Sequence, residues 1–136
     1  MLCQGNAIFY RPKDKALHAD NSKATFARPA GDHLALLQVY TQWAECNYSY
    51  QWCFQNYIQF KSIKRARDIK DQLIKLCERV EIDVTDPALS THDDEFSSNI
   101  VKCLLSGYFY NVAKITHPEN NLYKTLKNPH SVMLHP

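Results

Sequence analysis

The sequence has no apolar run approaching the ~20 residues that a membrane-spanning helix needs. Its opening residues, MLCQGNAIFYRPKDK, hold no apolar segment of the kind a secretory signal carries. The expected setting is therefore the nucleus or the cytosol. It has no C-x-x-C pair either: Cys3, Cys46, Cys53, Cys77 and Cys103 are odd in number and widely spaced. That spacing speaks against a disulfide framework and against a zinc site. The cysteines read as small buried hydrophobes or neutral surface thiols. A G-x-x-x-x-G-K-S/T phosphate loop is missing, so this chain by itself is not expected to hydrolyse a nucleotide. Net charge is scarce as well. At +2 the chain is no polycation, and any nucleic-acid surface must come from local clustering.

What is present has the composition of a globular protein, 45% hydrophobic and 22% charged over 136 residues. That length suits one compact domain burying roughly two thirds of its unfolded surface. Pro12, Pro29 and Gly31 punctuate the first part, with AIFY as a short extended piece. KDKALHADNSKATF suits a short helix with Leu17, Asn21 or Ala24, and Phe26 on one side. GDHLALLQVYTQWAEC predicts a helix capped by Asp32, with Leu36, Leu37, Tyr40, Trp43 and Ala44 on one face. Ser49 then caps a second helix, whose Tyr50, Cys53, Phe54, Tyr57 and Ile58 share a face.

The third helix is the stretch FKSIKRARDIKDQLIKLCERVEI, with Ser62 as its expected cap. Ile63, Ala66, Ile69, Leu73, Leu76, Cys77 and Val80 form its apolar stripe. Lys64 with Asp68 and Arg67 with Asp71 are opposite charges at i, i+4, which support a helix modestly. DVTDPALSTHDDEFSS, with Pro87 and an acidic run, reads as a loop. A fourth helix is expected from about Ser98 to Lys114, with Ile100, Val101, Leu104, Leu105, Tyr108 and Val112 inward. Gly107 would weaken it unless it marks a close helix-to-helix approach. The tail LYKTLKNPHSVMLHP alternates about Asn128-Pro129 as two short β-like runs. A lone hairpin is not stable. The expected class is thus mainly α, a helical bundle followed by the first strands of a β domain, cut from something longer.

Candidate chemistry is confined to a few places. Lys61, Lys64, Arg65, Arg67 and Lys70 crowd the start of the third helix, either to hold an anion or as its solvated side. Asp68 and Asp71 would neutralise part of that field. Asp32-His33 with Cys46 or Cys53 is the only imaginable catalytic grouping, and nothing in the spacing forces it. Trp43, Trp52, Tyr57 and the run Tyr108-Phe109-Tyr110 could stack on bases, but aromatics at helical spacing are more often core.

FYRPKDK followed by HAD, then GDHLALLQVYTQW, WCFQNYIQFKSIKRARDIKDQL, SGYFYNVAK and TLKNPHSVMLHP occur in one order over nearly the whole chain. In combination they resemble the C-terminal helicase-associated region of DEAH-box ATP-dependent RNA helicases, most closely the pre-mRNA-splicing members that remodel the spliceosome. The segments around His92-Asp93-Asp94-Glu95 and HPENN depart from the family's pattern. The resemblance implies a connecting segment from a winged-helix-like region over 1–30, a ratchet-like helical bundle over 31–117, and the start of an oligonucleotide-binding (OB) fold over 118–136, truncated to its first strands. It implies a nuclear protein with single-stranded RNA, the helicase's own RecA-like lobes and spliceosomal proteins as partners, and no membrane. A glycine-rich activator protein is a further implied partner. ATP and magnesium would belong to the motor lobes, leaving this chain without cofactor, metal or catalytic residue of its own.

With that resemblance, the expected RNA contacts are Lys61, Ser62, Arg65 and Arg67. A cap at Ser62 would turn first-turn N–H groups and the positive end of the helix dipole toward a phosphate. Lys61 precedes that end, Arg65 lies one turn beyond it, and Asp71 competes for Arg67. Such contacts would follow the RNA backbone without sequence preference. The competing expectation is a protein-docking module that never touches RNA. The purified chain is expected to show no ATP hydrolysis with or without RNA, checked by phosphate release; RNA-stimulated turnover by contaminant-free chain would overturn this.

Overall fold

The computed structural model describes residues 7–29, 31–84 and 94–133. Cys3, the part of the expected loop that holds Pro87 and His92, and the closing LHP of the tail lie outside the described residues. Two compact units divide the chain, Met1–Ala88 and Leu89–Pro136. Their boundary falls inside the expected 31–117 bundle and groups the last helix with the sheet. The class is mainly α with a small antiparallel sheet toward the C-terminus.

In the first unit a 3-10 turn at Lys13–Lys15 leads into α1 (Ala16–Thr25), followed by α2 (Asp32–Glu45), α3 (Tyr50–Gln55) and α4 (Phe60–Arg79). The core gathers Ile8, Phe26, Val39, Trp43, Cys53, Ile58 and Ile63, with Phe9, Leu36, Tyr40, Trp52 and Phe60 packed around it. Trp43 is 1% exposed. Its indole N–H donates to the Ser49 carbonyl at 3.2 Å, meeting the need of a buried indole for a partner. Tyr40, Tyr48 and Phe60 meet its ring edge-on. The extended piece before α1 is pinned to the α3–α4 joint: Gln59 N–H donates to Ile8 O at 2.8 Å, and Tyr10 N–H to Tyr57 O at 3.0 Å.

Helices α2, α3 and α4 all end the same way, through a left-handed residue that is not glycine: Asn47 (φ 53°), Tyr57 (φ 54°) and Glu81 (φ 59°). In each case the following N–H returns to a carbonyl in the last turn, Tyr48 to Trp43 at 2.9 Å, Ile58 to Cys53 at 2.9 Å and Ile82 to Cys77 at 3.0 Å. This is the Schellman arrangement, which satisfies carbonyls that a helix end otherwise leaves open.

Several expectations about helix ends need correction. Gly31, at φ 99°, is the residue before α2, and Asp32 is its first helical residue with no side-chain capping bond. A left-handed cap position favours glycine, which explains the shift. Ser49 does cap α3, its hydroxyl accepting from Trp52 N–H at 3.3 Å. Ser62 does not cap α4. The helix begins at Phe60 after Gln59, and Ser62 lies buried inside the first turn. Around α1, Phe26 and Ala19 are buried, but Leu17 points outward at 71% exposure.

In the second unit, α5 (Asp94–Gly107) starts and ends earlier than the expected Ser98–Lys114. Its half-buried residues Phe96, Ile100 and Leu104 recur at i, i+4, i+8, so the stripe begins one turn sooner at Phe96. Val101, Leu105 and Tyr108, expected inward, are exposed. Gly107 is the last helical residue and an added methyl there meets nothing within 4 Å, so it marks no close approach. A 3-10 turn at Phe109–Asn111 leads to β1 (Ala113–His117), which takes Lys114 out of the helix; β2 (Leu122–Thr125) and β3 (Ser131–Met133) follow. The strands pair in order β1-β2-β3, with Ile115 opposite Tyr123 and Tyr123 opposite Val132. The β2–β3 hairpin turns about Asn128-Pro129 as the tail pattern suggests, and Thr125 Oγ accepts from His130 N–H at 2.9 Å to close it.

A left-handed L-residue costs roughly 1–2 kcal/mol, and glycine's extra freedom in the unfolded chain returns about 0.5–1 kcal/mol of that difference. Glu81→Gly is therefore expected to raise stability by about 0.5–1 kcal/mol in urea unfolding. A lowered midpoint would show that the end of α4 carries no such strain.

Candidate nucleic-acid interface

The geometry of α4 follows from what it buries. Ile63 and Ala66 face the core and Ile69 is half-buried, so the cations between them are turned to other sides of the helix. Lys61, Lys64, Arg65, Arg67 and Lys70 are all exposed. They separate into two groups by what they touch.

Arg67 places its guanidinium 4.1 Å from the centroid of the Tyr48 ring, and Lys70 its ammonium 5.2 Å from that of Tyr40. Burial pushes the Tyr40 hydroxyl above its ordinary pKa, with Tyr48 and Asp71 adding to the rise and Arg67 opposing it. These two cations hold α4 against α2 and the turn after it. The ion pairs expected along the helix do not form: among the described residues the bridges within 4.0 Å are Arg11–Asp20 at 2.8 Å and His117–Glu119 at 3.4 Å. Tyr48, not Asp71, occupies Arg67.

Lys61, Lys64 and Arg65 form the other group. Spaced i, i+3 and i+4, they share one side of the helix start, and no carboxylate among the described residues pairs with them. Ser62 does not join them. It is 5% exposed, its hydroxyl donates to Gln59 Oε1 at 3.2 Å, and its N–H donates to Gln59 O at 3.0 Å. Of the four expected contacts, the structure thus leaves Lys61 and Arg65 open, engages Arg67 with an aromatic ring, and buries Ser62.

An aromatic cleft of about 370 Å³ opens beside Lys61, lined by Tyr10, Tyr50, Cys53, Phe54, Ile58, Gln59 and Phe60. Tyr50 and Phe54 had read as core, yet they are 63% and 58% exposed. The sequence signal was present in their i, i+4 spacing, but α3 is a helix of only six residues and cannot bury both sides of its stripe. A second cleft of about 410 Å³ lies between α1 and α2, lined by Phe9, Phe26 and Leu36 and bordered by Asp20, Lys23 and Asp32. Arg11 grips Asp20 through two 2.8 Å bonds and holds its carboxyl below the usual range.

The aromatic residues proposed for stacking divide by burial. Trp43 is core; Trp52 and Tyr57 are half-buried. Tyr108, Phe109 and Tyr110 are exposed, and the Lys127 ammonium sits 3.4 Å from the Tyr110 ring centroid. No hydrogen bond joins Asp32 or His33 to Cys46 or Cys53 among the described residues. Burial pushes the Cys53 thiol up to about 11, which removes the thiolate that nucleophilic chemistry needs. Among the described residues no group of His, Cys, Asp or Glu is placed to hold a metal ion. No protein-family model matches the chain.

Because Arg67 works through Tyr48, Arg67→Gln is expected to cost about 0.5–1 kcal/mol of stability, the range of an exposed cation–π contact. Thermal unfolding at low and high salt checks it. An Arg67→Gln chain as stable as the parent would return Arg67 to the free cations.

Proposed function

We propose that this chain is the RNA-guiding C-terminal accessory region of an ATP-dependent DEAH-box RNA helicase acting in pre-mRNA splicing in the nucleus. The observation that carries the RNA contact is the exposed trio Lys61, Lys64 and Arg65 on one side of the start of α4, with which no carboxylate among the described residues pairs. The ordered motifs from FYRPKDK to TLKNPHSVMLHP support the class of protein. In this reading the motor lobes of the longer helicase bind ATP and magnesium and pull single-stranded RNA 3′ to 5′. The present chain supplies one wall of the RNA channel, and the small sheet is the start of an OB fold. The cations meet phosphates, which suits a motor that must move along any sequence.

A second reading, a docking module for the motor lobes or a glycine-rich activator protein, is favoured by one observation. The last turns of α4 and the residue that caps them expose Leu73, Leu76 and Val80 at 55%, 50% and 64%. Apolar residues left open along one helix side suit a protein neighbour better than a phosphate chain.

Salt dependence separates the two. Each phosphate contact to a single strand adds ~0.7 to the slope of log affinity against log salt, so Lys61→Gln with Arg65→Gln should lower that slope by ~1.4. The measurement uses a labelled oligouridine and the purified chain, with folding checked by circular dichroism. A folded double variant with unchanged slope and affinity would make these cations a solvated helix side. The docking reading would then stand.

A further inference from the structure

We infer that the aromatic cleft beside Lys61 is a stacking site for one unpaired nucleobase, with Lys61 on the adjoining phosphate. This rests on the RNA reading above and deepens it, from backbone contact alone to backbone and base.

The cleft is built for a flat apolar face. Tyr50 and Phe54 stand one turn apart on α3, Tyr10 comes from the pinned segment before α1, and Phe60 from the first turn of α4. Three of these rings, Tyr10, Tyr50 and Phe60, have ring neighbours that hold them. Tyr50 and Phe60 lie 5.2 Å apart edge-on, Tyr10 and Tyr57 5.7 Å, and the Tyr10 hydroxyl donates to Phe54 O at 3.4 Å. Rings fixed before binding lose little freedom when a base arrives. The floor is Cys53 and Ile58, 1% and 2% exposed, and it carries no charge because the Cys53 thiol stays protonated. At about 370 Å³ the space falls within the roughly 300–1,000 Å³ of ligand clefts.

Charge decides between occupants. Among the described residues Lys61 is the only charged one lining this cleft, with Lys64 and Arg65 on the same side of the helix. The cleft between α1 and α2 has mixed charge at its border, Lys23 with Asp20 and Asp32, and Arg11 already pairs with Asp20, so it offers a phosphate no net attraction. Ring faces without a carboxylate and with a cation at the edge fit a base and its phosphodiester. Stacking of this kind tolerates any sequence, since every base has a π-face.

The test measures binding of the full chain to an oligouridine of about twelve nucleotides, within the ~4–16 nucleotide range of single-strand sites, and to an abasic oligomer with the same number of phosphates. Tyr50→Ala and Phe54→Ala are each expected to weaken oligouridine binding by about 5- to 150-fold while leaving the salt slope unchanged. The parent chain should prefer oligouridine to the abasic oligomer, and both alanine variants should lose that preference. Tyr50→Phe and Phe54→Trp keep a ring and should keep it, which separates stacking from loss of fold. Equal binding of the two oligomers by the parent chain would overturn the stacking site even where Lys61→Gln lowers the salt slope. A chain that binds neither oligomer would overturn both readings. Capture of a proline-rich peptide that Tyr50→Ala abolishes, with oligouridine binding intact, would give the cleft to a protein instead.

Discussion

Everything in the first unit is arranged about the burial of Trp43. A tryptophan side chain removes more apolar surface from water than any other, but its N–H must find an acceptor. The Ser49 carbonyl provides one, and Ser49 is also the residue whose hydroxyl caps α3. One turn is thus held from both sides. Phe60, the first residue of α4, packs against the same indole, and Tyr48, beside it, receives Arg67. The side of α4 that carries Lys61, Lys64 and Arg65 to solvent is a consequence of how this ring is enclosed.

Much of this was legible from periodicity. The apolar spacing placed α2, α3 and α4, Ser49 announced its cap, and Asn128-Pro129 marked the hairpin. The ends of helices were harder to read, for a physical reason. Three of them close through left-handed residues of ordinary type, Asn47, Tyr57 and Glu81, where a sequence reader looks for glycine. Where glycine does occur it misleads: Gly31 takes the cap position credited to Asp32, and Gly107 ends a helix it was expected to interrupt. The strand β1 was hidden because Ala113 to Ile115 continues an apolar pattern that suits either period.

Periodicity also reports that a face is apolar without reporting what covers it. Tyr50 and Phe54 read as core by spacing, and so did Leu73, Leu76 and Val80, yet all five are exposed. Along α4 this produces two unlike halves. The first three turns combine a buried side with cations that are either stacked on aromatics or open. The last turns keep an apolar side, Leu73 and Leu76, that the described residues leave exposed. The candidate site was therefore half legible: Lys61 and Arg65 are named by charge clustering, whereas the aromatic cleft required knowing that α3 stops after six residues.

The backbone bonds between Ile8–Tyr10 and Tyr57–Gln59 have a mechanical meaning. Because the two segments run antiparallel, Ile8 and Gln59 sit at the same end of the pair, so tension between the chain ahead of Ile8 and α4 would open these bonds one after another, Gln59 to Ile8 first. Tension entering the chain ahead of Ile8 would pass across these bonds to the joint between α3 and α4, by-passing α1 and α2. Phe60 and Lys61 stand next to that joint. The first turn of α4 is thus joined to the segment before Ile8 by a link that opens bond by bond, and α1 and α2 would be loaded only once it has opened.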